Sequence, residues 1–298
     1  MSPQLDREGN PIGGLTGFMK SLQKNIRETS PDEVVVCWEG QSNSSKRKEV
    51  NEDYKGGRKA PRLNREFQMS NPEDERKNRL HQQFRLIEYL EQMPVVQLSL
   101  ANQEADDIIA WVCRQSPEFQ DYQKVIVSSD KDFIQLCNED TILLRPIAKE
   151  VLTVPRVLEK HSIHPNNFAL ARAMIGDSSD NLPGVKGIGP KTVVSKFPFL
   201  IEEQSYSPDD LISFAEQSSG KAYQKILENK ETVQDNYAIM QLYDTNISLE
   251  GMSELSWAIQ NTGDSLNKTT IRTMMIKDGI LNVNLEKMFS TMNGWVND

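Results

Sequence analysis

A chain of 298 residues, 37% hydrophobic and 26% charged, is long enough to bury one large core or two. Its net charge of −9 argues against holding nucleic acid through a general positive field, and no stretch nears the roughly 18 apolar residues of a membrane span. The opening MSPQLDREGNP has no signal-peptide core, and Cys37, Cys113 and Cys137 lie far apart among apolar residues; the expectation is a cytoplasmic protein with reduced thiols and neither disulfide nor zinc.

Leu15, Phe18, Met19, Leu22 and Ile26 recur at helical spacing and predict an amphipathic helix over 14–28. EVVVCW, 33–38, reads as a buried strand. Residues 41–70 lack an apolar period and carry Lys46, Arg47, Lys48, Lys55, Arg58, Lys59, Arg62 and Arg65 against Glu49, Glu52 and Asp53. Such a run is a solvated basic face or an element that grips phosphate. Asn71-Pro72 starts a long helix with Leu80, Phe84, Ile87 and Leu90 on one face. A strand at 95–99, a helix at 104–115, a strand at 124–129, a helix at 131–137 and a strand at 141–145 follow. This alternation predicts an α/β fold with a parallel sheet covered on both faces. After residue 153 the pattern is helical, with helices at 154–161 and 165–176, a glycine-rich turn and further helices.

Acids follow the strands. VVQLSL leads into Glu104, Asp106 and Asp107, and VIV into Asp130 and Asp132. Either group alone is explained by helix capping and the helix dipole. In a parallel sheet, however, strand C-termini share one edge, which places five carboxylates on one rim, and GDSSDNLPG adds Asp177 and Asp180. Crowded carboxylates repel unless a multivalent cation neutralises them. Oxygen ligands without histidine or cysteine favour Mg²⁺ or Mn²⁺, and two such ions about 4 Å apart suit in-line attack on a phosphodiester. GVKGIGPKT, 184–192, sets glycines between two helices so that backbone N–H groups approach a phosphate, with Lys186 and Lys191 adding charge.

EADD, SSDKDFIQL and GDSSDNLPGVKGIGPKT, in that order, with RKEVNEDYKGGR at 47–58, resemble the 5′-nuclease family: phage 5′-exonucleases, the 5′-nuclease domain of bacterial DNA polymerase I, and flap endonucleases. The likeness runs from about residue 10 to 200. It implies a PIN-like domain over 1–155, its mostly parallel sheet flanked by helices, with an arch segment about 41–71. A helix-three-turn-helix DNA-binding domain over 156–250 and a helical C-terminal extension over 251–298 would follow. By this resemblance Glu39, Glu104, Asp106, Asp107, Asp130, Asp132, Asp177 and Asp180 fall on ligand positions for two Mg²⁺ or Mn²⁺ ions. Arg47 and Lys55 join Asp130 and Asp132 as catalytic residues. Arg47, Tyr54, Lys55 and Arg58 fall on arch positions that guide a 5′ end. Gly184, Lys186, Gly187, Gly189, Lys191 and Thr192 fall on the turn that holds the DNA backbone, with K⁺.

Two departures stand out. Family members begin with an apolar strand ending in Asp-Gly-Asn, which is not found before GGLTGFMKSL, and Glu39 in VCWEG takes a place usually held by aspartate. The expectation is therefore a truncated or misassigned start, or one part of a split protein, whose sheet either rearranges at a missing internal strand or leaves edges through which the chain folds poorly and aggregates, with activity restored by an N-terminal extension. The implied function is a Mg²⁺-dependent 5′-3′ exonuclease or flap endonuclease acting on duplex DNA with 5′ ends or flaps, and on RNA primers in RNA–DNA hybrids, in replication or repair. The resemblance further implies a monomer that contacts a replication protein through its C-terminal region. A structure-specific DNA-binding protein that has lost catalysis with its first aspartate, and a PIN-like single-strand ribonuclease, are the competing readings.

Overall fold

In the computed structural model, which describes residues 4–40, 45–56, 71–263, 265–280, 283 and 285–297, the chain runs through α1 (Gly13–Thr29), β1 (Val35–Cys37), α2 (Ser45–Val50), α3 (Pro72–Leu90) and β2 (Val96–Leu98). Next come α4 (Ala105–Arg114), β3 (Lys124–Val127), β4 (Thr141–Arg145), β5 (Glu150–Leu152), α5 (Val154–His161), α6 (Phe168–Ile175), β6 (Gly176–Asp177) and β7 (Leu182–Pro183). Helices α7 (Pro190–Lys196), α8 (Pro208–Glu216), α9 (Lys221–Glu228), α10 (Lys230–Met240), α11 (Leu249–Gln260), α12 (Lys268–Lys277) and α13 (Glu286–Asn297) complete it. None is long and apolar enough to cross a membrane among the described residues. These elements group in space into two compact units rather than along the chain: Met1–Val36, Lys59–Leu98 and Trp257–Asp298 form one, Cys37–Arg58 and Ser99–Ser256 the other.

In the first unit, α1 buries Leu15, Met19, Leu22 and Ile26, as its periodicity predicts. Asn71 caps α3 by accepting from the N–H groups of Glu73 and Asp74. The buried face of α3 differs from the expected one. Asn78, Gln82, Leu86, Tyr89 and Leu90 are buried, while Leu80 is 42% and Phe84 65% exposed. The reason is polar: Gln82 Oε1 accepts the Leu15 N–H at 3.0 Å, Gln82 Nε2 donates to Asn78 Oδ1 at 2.7 Å, and Asn78 Nδ2 donates to the Pro11 carbonyl at 2.9 Å. Two side-chain amides thus satisfy backbone groups at the start of α1, and the helix turns that face inward. Asp278 accepts from Arg85 and Tyr89 of α3 at 2.7 and 2.8 Å, and α13 packs on α1.

In the second unit β4 lies between β3, parallel, and β5, antiparallel. Val127 stands opposite Leu144, and Leu143 opposite Leu152. Among the described residues the strands form separate sheets, β1 with β2, β3 to β5, and β6 with β7, so the α/β class holds while the expected continuous sheet is divided. The segment expected as a helix at 131–137 is a 3-10 turn, Asp132–Leu136, whose buried Gln135 side chain bonds backbone groups that a longer helix would rearrange. Ile134, Leu136, Leu143, Leu170, Met174 and Phe197 belong to one core, against which α6 and α10 pack. The cysteines are free; burial pushes Cys113 up to about 12 and Cys137 up to about 11, so both stay as thiols.

Candidate metal and nucleic-acid site

Glu104 stands at the N-cap of α4 in extended conformation, followed by Asp106 and Asp107 in the first turn, while Ile108, Ala110 and Trp111 anchor the helix in the interior. Glu104 is 1% exposed. A buried carboxylate needs partners, and Lys55, Tyr54 and Arg47 are among those that the described residues supply. Lys55 Nζ donates to it at 2.8 Å, the Tyr54 hydroxyl at 3.3 Å, and Arg47 of α2 forms an ion pair with it. Arg47 also reaches Asp106 at 3.1 Å and Asp107 at 3.0 Å. Burial works against the charge of Arg47, but Asp106 and Asp107 outweigh it and raise its pKa. For Lys55 burial prevails over the attraction of Asp106, and its pKa is lowered.

Asp130 and Asp132 leave β3 through a tight turn in which Asp130 Oδ1 accepts the Asp132 N–H at 2.9 Å. Gln135, 1% exposed, clamps this turn: its Nε2 donates to the carbonyls of Asp132 and Met240 at 2.8 and 3.0 Å, and its Oε1 accepts the Leu242 N–H at 2.8 Å. Across from it, Asp177 Oδ1 accepts both the N–H and the hydroxyl of Ser179, at 2.7 and 2.6 Å. Arg172 bridges the two aspartates, 3.2 Å from Asp132 Oδ1 and ion-paired with Asp177. Burial, reinforced by Asp130 and Asp177 against the opposing Arg172, pushes the Asp132 carboxyl up to about 6. Burial would also raise Asp177, but Ser179 and Arg172 overcome it and hold its pKa below the usual range. The Asp180 carbonyl accepts the Lys55 N–H at 2.9 Å, and Asn181 Nδ2 donates to the Asp53 carbonyl at 3.2 Å, so residues 53–55 are pinned to the turn after β6.

One carboxylate oxygen each from Asp132, Asp177 and Asp180 lie within 4.8 Å of one another. An all-oxygen set this close suits a hard divalent cation. A cavity of about 30 Å³ opens between Asp106, Asp130, Asp132 and Asp180, with Arg47 and Lys55 on its wall. Glu39 is exposed and accepts the Ala105 N–H at 3.3 Å, at the N-terminus of α4. Arg58 lies outside the described residues.

The glycine turn is built by close approach. A Cβ on Gly184 would stand 1.9 Å from the Ile175 carbonyl oxygen, so only glycine lets the chain pass the end of α6. Gly187 has φ +83, Gly189 precedes α7, and Lys191 and Thr192 lie in the first turn of α7. Val185 and Ile188 are buried, leaving Lys186 exposed. Lys225 of α9 donates to the Lys186 carbonyl at 2.9 Å. Sequence reasoning missed Arg172, Gln135 and Lys225. For Arg172 a signal existed, since it is the lone charge in FALARAMI.

Residues 1–162 match the family described as 5′-3′ exonuclease, N-terminal resolvase-like domain. The chain is 30% identical over 197 residues to a 5′-3′ exonuclease of Aquifex aeolicus, covering 65% of this chain and 62% of that one. It is 36% identical over 185 residues to the thermostable DNA polymerase I of Thermus thermophilus, covering 62% and 20%. The chain thus spans less than two thirds of the length of these curated relatives. In fold it is similar to the T5 5′-exonuclease with bound divalent zinc, at a TM-score of 0.67 and 17% identity over 84% of this chain and 91% of that one. A T5 flap endonuclease in complex with DNA and metal ions gives a TM-score of 0.65 at 17% identity, over 83% and 90%.

Proposed function

The chain belongs to the 5′-3′ exonuclease family, and on that premise we propose that it hydrolyses phosphodiesters at the 5′ ends or flaps of duplex DNA with two Mg²⁺ or Mn²⁺ ions. The observation that carries the reading is the convergence of the Asp132, Asp177 and Asp180 oxygens beside the turn that bears Lys186 and Lys191. Asp132, Asp177 and Asp180 would hold one ion, and Glu104, Asp106, Asp107 and Asp130 the other, with Glu39 at their margin. Bound there, such ions supply a nucleophilic hydroxide at neutral pH and neutralise charge on the leaving oxygen. The chain itself does the rest. Arg47 and Lys55 orient the scissile phosphate, Tyr54 holds Glu104 in place, and the backbone around Gly184, Gly187 and Gly189 with Lys186, Lys191 and Thr192 grips duplex phosphates. K⁺ at the glycine turn belongs to the same reading, with Lys225 already donating to the Lys186 carbonyl. So do RNA–DNA hybrids as substrates, a role in replication or repair, a monomeric state and a replication-protein contact through 251–298.

Cleavage of an end-labelled flap duplex is the direct test. We expect short 5′ products with Mg²⁺ and none with EDTA. Duplex binding without cleavage at any divalent concentration would favour the DNA-binding reading, and cleavage of single-stranded RNA alone would favour the ribonuclease.

Neutralising Lys186 and Lys191 together is expected to weaken binding to every duplex sequence alike and to lower the salt slope by about 2, roughly 0.9 for each phosphate no longer neutralised. Fluorescence anisotropy over a salt series reads both quantities. A loss confined to one sequence would show that these lysines read bases.

A further inference from the structure

Two buried side-chain amides fasten the candidate metal site to α10, a helix that carries none of its carboxylates. Asn236 of α10, 2% exposed, donates through Nδ2 to the Ala173 carbonyl at 3.0 Å and to the Pro183 carbonyl at 2.9 Å. These two carbonyls bracket the stretch that bears Asp177 and Asp180. Gln135, 1% exposed, donates to the carbonyls of Asp132 and Met240 at 2.8 and 3.0 Å and accepts the Leu242 N–H at 2.8 Å. Asn236 and Met240 stand four residues apart, which puts them one above the other on the same face of α10. The helix is itself firmly seated. Val233 is fully buried, and Ile239 and Met240 pack with Tyr54 and Leu182. One amide thus ties the Asp132 turn to α10, and the other ties the Asp177–Asp180 stretch to it.

We propose that Asn236 and Gln135 are positioning residues: through α10 they set the gap among the Asp132, Asp177 and Asp180 oxygens, and so the size of divalent ion that these oxygens accept. Both amides act on main-chain groups, so neither takes a carboxylate oxygen. Arg172 also joins Asp132 to Asp177, but through the oxygens that an ion would need. A gap fixed through the main chain persists when those oxygens change partners. Three oxygens within 4.8 Å that are held from spreading favour a small ion with strict octahedral demands, such as Mg²⁺. A set free to spread serves the longer bonds and looser geometry of Ca²⁺ equally well. The inference rests on the nuclease reading only for the presence of an ion at these three aspartates.

Ion binding to the 298-residue chain without nucleic acid tests it, with Mn²⁺ followed by the electron paramagnetic resonance signal of the free ion and displaced by Mg²⁺ or by Ca²⁺. Asp177→Asn identifies the ion held by the three aspartates as the one it weakens; if it weakens none, the inference falls. Asn236→Leu and Gln135→Met nearly keep the side-chain volume and remove the donors. In each, Mg²⁺ should bind about tenfold more weakly at that site, the lower end of what losing an outer partner costs a metal site, while Ca²⁺ is held nearly as before. The combined variant should fall no further than the worse single one, because the gap is lost once either end is free. Asn236→Ser, whose single hydroxyl proton serves only one of the two carbonyls, is the milder change should the leucine variant not fold, and it must move the ratio the same way. Val233→Ala removes buried carbon from the same helix; it should lower the melting temperature and leave the Mg²⁺ to Ca²⁺ ratio in place. A ratio unchanged in either amide variant, shifted equally by Val233→Ala, or lowered additively in the combined variant would overturn the proposal. If the ratio falls as expected and the unaltered chain cleaves no duplex, the positioning role stands and the nuclease reading fails; an unmoved ratio in a chain that cleaves gives the reverse.

Discussion

Asp132→Asn is expected to raise the melting temperature while lowering cleavage on the order of a thousandfold. The two effects share one cause. Burial pushes the carboxyl up to about 6 from 3.8, so the folded chain disfavours the ionised form that a metal ligand must take. A raised pKa contributes stability that is present below 3.8 and lost as pH rises through about 6. At pH 8 the ionised Asp132 is thus a burden of at most about 3 kcal/mol, at about 1.4 kcal/mol per pKa unit, and the amide removes it. The gain should shrink toward pH 4, where the folded chain holds the acid protonated and the unfolded chain, at its ordinary value of 3.8, has begun to protonate it as well. Thermal melting in EDTA at pH 8 and pH 4.5, beside a cleavage assay, checks both halves. A variant that melts lower at pH 8 would mean that the Arg172 pairing outweighs burial, and a variant that still cleaves would remove Asp132 from the reaction.

Gly184→Ala should be among the most damaging single changes in the molecule, costing about 3 kcal/mol or more. Its Cβ would stand 1.9 Å from the Ile175 oxygen and 2.7 Å from the Gly176 nitrogen, both backbone atoms that no rotamer change can clear. Relief requires β6 and β7 to part, which displaces Asp177 and the turn carrying Lys186 together. We expect melting temperature, Mn²⁺ affinity and duplex affinity to fall in one variant. Gly189→Ala is the control for melting temperature, since a Cβ there meets nothing within 4 Å of the folded chain. Near-native melting of Gly184→Ala would show that the turn yields without resistance.

The gathering of the acids was legible because strand ends and the GDSSDNLPG turn carry their chemistry in local spacing. What holds those acids was less so. Lys225 stands on a helix where a cation looks like ordinary surface, Arg172 is marked only as the lone charge of an apolar helix, and Gln135 looks like an exposed amide until its bonds to Asp132, Met240 and Leu242 bury it. The face of α3 was misjudged for a related reason. An apolar stripe through Leu80 and Phe84 is the natural choice by hydropathy, yet Asn78 and Gln82 are drawn inward by unpaired backbone groups at Pro11 and Leu15, 67 residues away. Long-range hydrogen bonds leave no periodic trace, whereas short motifs at element ends do. The boundaries of 141–145 and 154–161 were found for that reason, and the division of the strands into separate sheets was not.

The first unit has a consequence for the order of events during synthesis. Its α1 packs against α13, so α1 leaves the ribosome long before the helix that covers it. At roughly 5 to 20 residues per second that delay is tens of seconds, during which Leu15, Met19, Leu22 and Ile26 lack part of their final cover. Closing so long a loop adds little to the equilibrium cost, which grows only with the logarithm of its length. It does slow the search, and it leaves the nascent α1 as apolar surface that a chaperone can hold. The second unit draws most of its residues from the continuous stretch Ser99–Ser256 and can assemble while the first still lacks its final segment.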